Sequence, residues 1–187
     1  CLSARELLRQ VDHRLNRLNQ VASDYFQLQA FLLEAIKPAL EKCSTQLIES
    51  YAQSGFDVDA EIPPRARTLS PSDFGFHNAL RRPDGSLVFV DFEYFGWDDP
   101  VRLVSDFIVH PGMALSSHHQ NIFRDEMGDI YSDDDEYPMR LSILYPLVVL
   151  RWCMILLNEF LPEKSAPRPA GENADAIEIA QSKQLEK

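Results

Sequence analysis

Apolar residues recur at helical spacing over the first third of the chain and again near its end, and give way to short strand-like runs between. Leu7, Leu8, Val11, Leu15, Leu18 and Ala22 share one face of a helix that opens on Ser3-x-x-Glu6. That is the capping-box pattern, in which a hydroxyl and an acidic side chain satisfy free N–H groups of the first turn. A second helical stretch covers residues 24–54, with Leu28, Leu32, Ile36, Leu40, Cys43, Leu47 and Tyr51 on its apolar face. Pro38 has no N–H to donate, so the pattern predicts a kink or two abutting helices, ended by Gly55. Residues 123–131 and 139–160 predict two further helices, the latter with Pro146 near its start. Residues 162–171, carrying Pro167 and Pro169, predict a linker or long loop, and 174–187 a final helical segment. The fold class is mainly α with a small β-hairpin.

The hairpin lies in the middle. Arg82-Pro83-Asp84-Gly85 is a turn signal, with Pro suited to the first central position and Gly following. Strand-like residues flank it at 78–81 and 87–91. With Pro83 and Asp84 as central residues, Asn78 is expected opposite about residue 89 and Asp91 diagonal to it, within about 7–8 Å. Asp73, five residues before Asn78, then faces the same point from the preceding loop. One carboxylate is free for a substrate hydroxyl, and an amide oxygen and a second carboxylate can share a cation. Phosphoryl transfer from a nucleotide needs that set. With 16 Asp and 6 Asn in 187 residues, the Asp-x-x-x-x-Asn spacing alone is weak, and its place before a turn-defined hairpin strengthens it. The plain alternative is a surface loop in which Asp73 caps a turn and Asn78 satisfies backbone groups.

Residues 69–111 resemble the catalytic core of the aminoglycoside phosphotransferase and choline kinase family, a branch of the protein-kinase-like fold. The resemblance aligns Asp73 with the catalytic Asp, Asn78 with the metal-binding Asn and Asp91 with the metal-binding Asp of that family. Asp91-Phe92-Glu93-Tyr94 is similar to the choline-kinase-like form, in which an acidic residue replaces the Gly of Asp-Phe-Gly. Glu93 is thereby a candidate second metal ligand or substrate contact. Gly96-Trp97-Asp98-Asp99-Pro100 followed by Asp106 resembles the later Gly-Asp-Pro…Asp segment, whose last Asp braces the catalytic loop; its spacing here is longer. Pro71 stands where the family usually has a loop His, and Ser72 where Gly is common. The resemblance implies the C-terminal lobe of an α+β kinase fold spanning 1–187 and truncated at both ends. It implies Mg²⁺, ATP or GTP as co-substrate, and transfer of the γ-phosphoryl to a hydroxyl of an aminoglycoside, amino alcohol or sugar-like acceptor. The chain contains no Gly-rich phosphate loop and no clamping Lys in a small β-lobe, so nucleotide-binding residues are expected outside it and the fragment alone is expected to be inactive. The competing reading is a degenerate kinase-like binding or scaffold module without turnover.

A net charge of -11 argues against nucleic acid and suits a cationic acceptor. Cys1, Cys43 and Cys153 have no metal-ligand spacing and an odd count, which fits a reducing, cytoplasmic setting. The apolar run 141–157 is interrupted by Arg151, so no membrane span is expected. Other tempting residues have simpler readings. His110, His118 and His119 suit surface or helix-start roles. Asp133-Asp134-Asp135-Glu136 suits a solvated loop rather than a cation site. His77 suits loop ordering, and Arg151-Trp152 a packed role in which the Arg braces an acidic loop residue.

Overall fold

A computed structural model describes residues 1–162 and 183–185. Most of the described residues are helical, with two small antiparallel sheets between the helices. Helix α1 (Ala4–Val21) buries Leu7, Leu8, Val11, Leu15 and Leu18, the face marked by the periodicity. Its cap is half a capping box. Ser3 Oγ accepts from the Glu6 N–H at 3.2 Å, while the Glu6 carboxylate turns to Arg9 and Gln10 instead of reaching back.

The stretch 24–54 divides as Pro38 requires. Helix α2 (Phe26–Phe31) passes into a π-helical turn at Leu32–Ile36 and on into α3 (Lys37–Ser54). The wide turn absorbs the hydrogen bond that Pro38 cannot donate, which is how π-bulges keep a helix continuous. Gly55, at φ 74°, closes α3 in the left-handed conformation that glycine adopts without strain.

Four short strands follow: β1 (Thr68–Ser70), β2 (Ala79–Arg81), β3 (Leu87–Phe89) and β4 (Gly96–Asp98). β2 and β3 form the expected hairpin, and β1 pairs with β4, which periodicity did not indicate. That pair closes residues 71–95 into an excursion with fixed ends. Helix α4 (Pro100–Val109) leaves directly from β4, capped by the Asp99 side chain on the Val101 N–H. Helix α5 (Ser117–Ile130) starts six residues before the expected point. Ser116 caps it, and it has no fully buried residue, so its first turns carry little apolar signal.

Helix α6 (Tyr137–Leu156) is the centre of the molecule, packing on α1, α3 and α4. Two corrections apply to it. Pro146 sits mid-helix rather than near the start, and the helix continues through it. With the 3₁₀ turn at Leu157–Phe160 it runs 24 residues and contains an 18-residue window of mean hydropathy 1.8, so Arg151 does not make the run too short or too charged, by length and composition alone, to cross a membrane. Its arginines are turned inward to carboxylates of the same domain. The linker and terminal helix expected at 162–171 and 174–187 lie outside the described residues, apart from Pro162 and the helical residues 183–185.

Arg140 of α6 lies 3% exposed between two carboxylates, Asp99 at 3.1 Å and Asp134 at 2.7 Å. The acidic run is therefore anchored from below through Asp134 and is only partly a solvated loop. Burial pushes the Asp99 carboxyl up, against the pull of Arg140. Burial also raises Asp134, but Arg140 and the Glu136 and Tyr137 N–H groups outweigh it and hold that carboxyl below its ordinary 3.8. A carboxyl depressed in the folded state adds stability above 3.8 and loses it as pH falls through the lower folded value. Acid unfolding of Asp134→Asn should accordingly be shallower below pH 3.8 than that of the parent chain. Arg140→Ala, which strands the buried Asp99, should cost about 3–5 kcal/mol in denaturant titration near neutral pH.

Candidate functional site

The loop between β1 and β2 is built on two departures from ordinary backbone. Ser72 has φ 64°, and the Asp73 N–H donates to the Pro71 carbonyl at 2.8 Å, a γ-turn centred on Ser72. Ser72 is held there from both sides, its N–H donating to buried Ser70 Oγ at 3.1 Å and its hydroxyl to the Tyr94 carbonyl at 3.0 Å. The turn aims Asp73 away from the strand axis. Beyond it, Phe74 and Phe76 pack on Phe107 of α4, and Phe107 stacks on Phe123 of α5 at 4.0 Å, so the loop is pinned to the helical layer.

Asp73 and Asn78 are brought together as the spacing predicts. The Asn78 amide nitrogen donates to the Asp73 carbonyl at 2.9 Å and to Asp73 Oδ2 at 3.2 Å. Both partners are acceptors, so the amide nitrogen must face them and Asn78 Oδ1 is turned elsewhere. Asp91 arrives by a slightly different register. The Gly85 N–H donates to the Arg82 carbonyl, Gly85 takes φ 87°, and Arg82 pairs with Ser86, giving a type I turn followed by a glycine bulge. The extra residue pairs Ala79 with Phe89, and the Val90 N–H donates to the Asn78 carbonyl at 2.9 Å. Asn78 is thus opposite Val90 rather than residue 89, and Asp91 follows immediately, in the left-handed region at φ 67°. Side chains alternate along a strand, so the bulge alone would turn Asp91 to the other face. The positive φ at Asp91 breaks that alternation, and among the described residues the Asp91 carboxylate makes no hydrogen bond or ion pair with Asp73 or Asn78. Asp91 and Glu93 are both exposed, and the neighbouring Glu93 carboxylate pushes the Tyr94 phenol up.

Two histidines complete the site. His77 Nε2 lies 3.0 Å from Asp73 Oδ1 and His110 Nε2 3.6 Å from the same oxygen. The two rings are stacked, 3.9 Å between centroids at 5°. His77 orders the loop, as its simpler reading held. His110 does not take the surface role expected of it. It is the residue after α4, and Pro111 forces it out of the helix toward the loop. Its sequence neighbours give no signal for this, because the contact spans 37 residues. Gly75 makes the arrangement possible: a Cβ there would lie 2.5 Å from His77 Cε1 and 2.8 Å from Met113 Sδ.

Asp106 is buried on α4, and its described bonding partners are on α4 and α6 rather than in the loop. Oδ2 accepts from Arg102 Nε at 2.9 Å; Oδ1 accepts from Trp152 Nε1 at 2.7 Å and Arg151 Nη1 at 3.2 Å. Its connection to the loop is indirect. The Trp152 ring stands edge-on to His110 at 4.6 Å, and His110 stacks on His77, which holds Asp73. Arg151 braces a helix carboxylate, not a loop one. His118 and His119 sit in the first turn of α5, His119 on the Ser116 cap, in keeping with a helix-start role.

The Nε2 atoms of His77 and His110 and a carboxylate oxygen of Asp73 lie within 4.8 Å of one another, a donor set that suggests zinc. The geometry opposes it. A metal lies in the plane of each imidazole that binds it, at about 2.0–2.1 Å for zinc, and two nearly parallel, stacked rings share no such point. Moreover, the Gly112 N–H donates to His110 Nδ1 at 3.0 Å, so in the neutral ring the proton is on Nε2, which has no lone pair to give. Burial, then the neighbouring His77, pushes His110 down, favouring that neutral ring. The cluster is instead a carboxylate facing two imidazole Nε2 groups.

Compared with protein-family models, curated proteins and solved structures, the chain finds no match. A cavity of about 820 Å³ between α5 and α6, and one of about 430 Å³ beside the acidic run, are lined by none of Asp73, Asn78 and Asp91.

Two outcomes are expected. Gly75→Ala should displace the His77 ring, costing about 1–3 kcal/mol in thermal unfolding and moving the His77 ring resonances. Equimolar Zn²⁺ should leave the His77 and His110 resonances in place. A joint shift abolished by Asp73→Ala would refute the assigned tautomer.

Proposed function

We propose that the chain supplies the acceptor-side half of a small-molecule kinase of the aminoglycoside phosphotransferase and choline kinase type, in a protein-kinase-like fold. The observation that carries this reading is the Asp73–Asn78 hydrogen-bond pair, set where a hairpin ends on the left-handed Asp91. Strained backbone at a loop carboxylate points to a constrained role, since such conformations cost about 1–3 kcal/mol each. The carboxylate of Asp91 and Asn78 Oδ1 are hard oxygen donors, and they suit Mg²⁺. Bound there with ATP or GTP, the ion would neutralise charge on the phosphates. Asp73 would orient the acceptor hydroxyl and take its proton, held in one rotamer by His77 and Asn78. The two histidines and Trp152 provide the support that Pro71, in place of a loop His, does not.

An apolar face agrees with a second lobe contributed from elsewhere. Leu80, Leu87, Val90, Phe92, Phe95 and Trp97 are all exposed around the hairpin, a denser concentration than scattered surface residues produce. A Gly-rich cover and a cationic clamp on the phosphates, absent from this sequence, would belong to that lobe. The net charge of -11 suits a cationic acceptor such as an aminoglycoside or amino alcohol. One observation favours the second reading, a binding module without turnover: both Asp73 oxygens already have donors close by, in His77 and Asn78.

Turnover separates the two readings. In a full-length enzyme carrying this sequence, Asp73→Asn should keep Mg-nucleotide binding and lower kcat by about 10²–10⁴-fold. Asp91→Asn should instead weaken Mg-nucleotide binding, read by calorimetry. Near-wild-type product formation in both variants at saturating nucleotide would overturn the assignment. The 187-residue chain by itself, given Mg-ATP or Mg-GTP and a panel of aminoglycosides, amino alcohols and sugars, should show no transfer above background.

A further inference from the structure

Between α1 and α6 lies an open cavity of about 180 Å³ lined by Arg9, Gln10, His13, Arg14, Arg17 and Arg151. The chain as a whole carries a net charge of -11, so a cationic cavity runs against its general character. We propose that this cavity is a binding site for a phosphate-type dianion, such as inorganic phosphate or the terminal group of a phosphate monoester.

The argument begins with charge. Arg14, Arg102 and Arg151 all lie within electrostatic reach of Asp106, and Asp98, which also acts on Arg151, is already paired with the Cys1 amino group at 2.7 Å. Asp106 accepts from Arg102 and Arg151, and Arg14 has no hydrogen bond among the described residues. Three guanidinium groups against one carboxylate leave two positive charges. Arg9, on the rim, is answered by Glu6 at 2.7 Å, and Gln10 bridges Arg102 to Glu6.

Burial makes the imbalance costly. Arg151 is 16% exposed, and its Nε is buried with no hydrogen-bond partner among the described residues. Burial and then Arg102 push Arg151 down to about 10. Half-buried Arg14 is pushed down by burial, then by Arg17 and Arg102. A guanidinium under that pressure gains most from an anion that replaces lost hydration.

Chemistry selects the anion. Guanidinium forks bind phosphate and carboxylate oxygens through paired N–H bonds. A monocarboxylate would leave one of the two excess charges unanswered, whereas a phosphate monoester carries about -1.5 to -2 near neutral pH. His13, exposed in the lining, adds a ring N–H donor.

The test is titration of the whole chain with inorganic phosphate, without Mg²⁺ and at constant ionic strength, followed by calorimetry and by the His13 Cε1–H resonance. The expected result is saturable one-to-one binding with a shift at His13, and acetate at the same concentration binding much more weakly. Arg14→Gln should weaken phosphate binding at least about tenfold, with Arg14→Lys falling between, because a point charge replaces a fork. Arg14 is half-buried on α1 and has no described hydrogen bond, so both variants should unfold near the parent's midpoint. Arg65→Gln, in the cavity beside the acidic run, should bind phosphate like the parent, separating this site from a general loss of positive charge. Non-saturating phosphate up to about 10 mM, weaker than any specific site of this charge, or equal affinity in Arg14→Gln, would overturn the proposal.

Discussion

Asp106 is the constraint on which fold, candidate site and cationic cavity all depend. It is a buried carboxylate receiving Arg102 from its own helix and Arg151 and Trp152 from α6. Removing one partner of such a group leaves an uncompensated buried charge, which costs about 3–5 kcal/mol. The pairing fixes α4 against α6 in rotation as well as distance, because two successive α6 residues must both reach one carboxylate. Once Trp152 is oriented, the edge-on contact to His110 follows, and with it the stacked pair that faces Asp73. The same carboxylate answers only part of the charge of Arg14, Arg102 and Arg151. An anion in the cavity would compete with Asp106 for Arg151, so the node and the cavity cannot be energetically independent.

The helical frame was legible where burial is one-sided. Leu7, Leu8, Val11, Leu15 and Leu18 are buried as their spacing requires, and Pro38 and Gly55 act where their backbone chemistry places them. Helix α5 was half hidden because it fully buries no residue and so has no periodic stripe to read. The pairing of β1 with β4 was invisible for a different reason. Each has three residues, too few to show alternation, and the register joins residues 26 to 30 positions apart. In the hairpin the turn was read correctly, but the glycine bulge adds one residue and shifts Asn78 from residue 89 to Val90. A one-residue shift is the smallest error possible in a strand, and it exchanges the two faces.

Within the candidate site, local spacing found the residues joined by local geometry and missed those joined by tertiary packing. Asp73 and Asn78 meet through a loop of five residues, so their spacing carries the contact. His110 and Trp152 reach the loop only because α4 ends at Pro111 and α6 is clamped to Asp106. The family resemblance implies a bracing role for Asp106; in the structure two aromatic rings, Trp152 and His110, separate it from His77 and the loop. Ser72 shows the reverse case: a residue in place of the usual glycine, with φ 64°, is held by two hydrogen bonds that glycine could not make in full. Its hydroxyl ties the loop to the Tyr94 carbonyl, linking the Asp73 turn to the segment after Asp91.

The state of the Asp73 carboxylate decides how much weight the reading without turnover should carry. An ionised carboxylate offers about four acceptor positions over its two oxygens. His77 takes one on Oδ1 and Asn78 one on Oδ2, while His110 at 3.6 Å is beyond hydrogen-bond distance. About two positions are therefore left, and 45% of the side chain is exposed to receive a ligand. Donors that orient a carboxylate without filling it remove its rotational freedom, and effective concentrations from orientation are worth about 7–11 kcal/mol where the geometry is right. Under the proposed kinase reading the two donors on Asp73 are compatible with a base, and what they constrain is direction: an acceptor hydroxyl would approach from the side left open by His77 and Asn78.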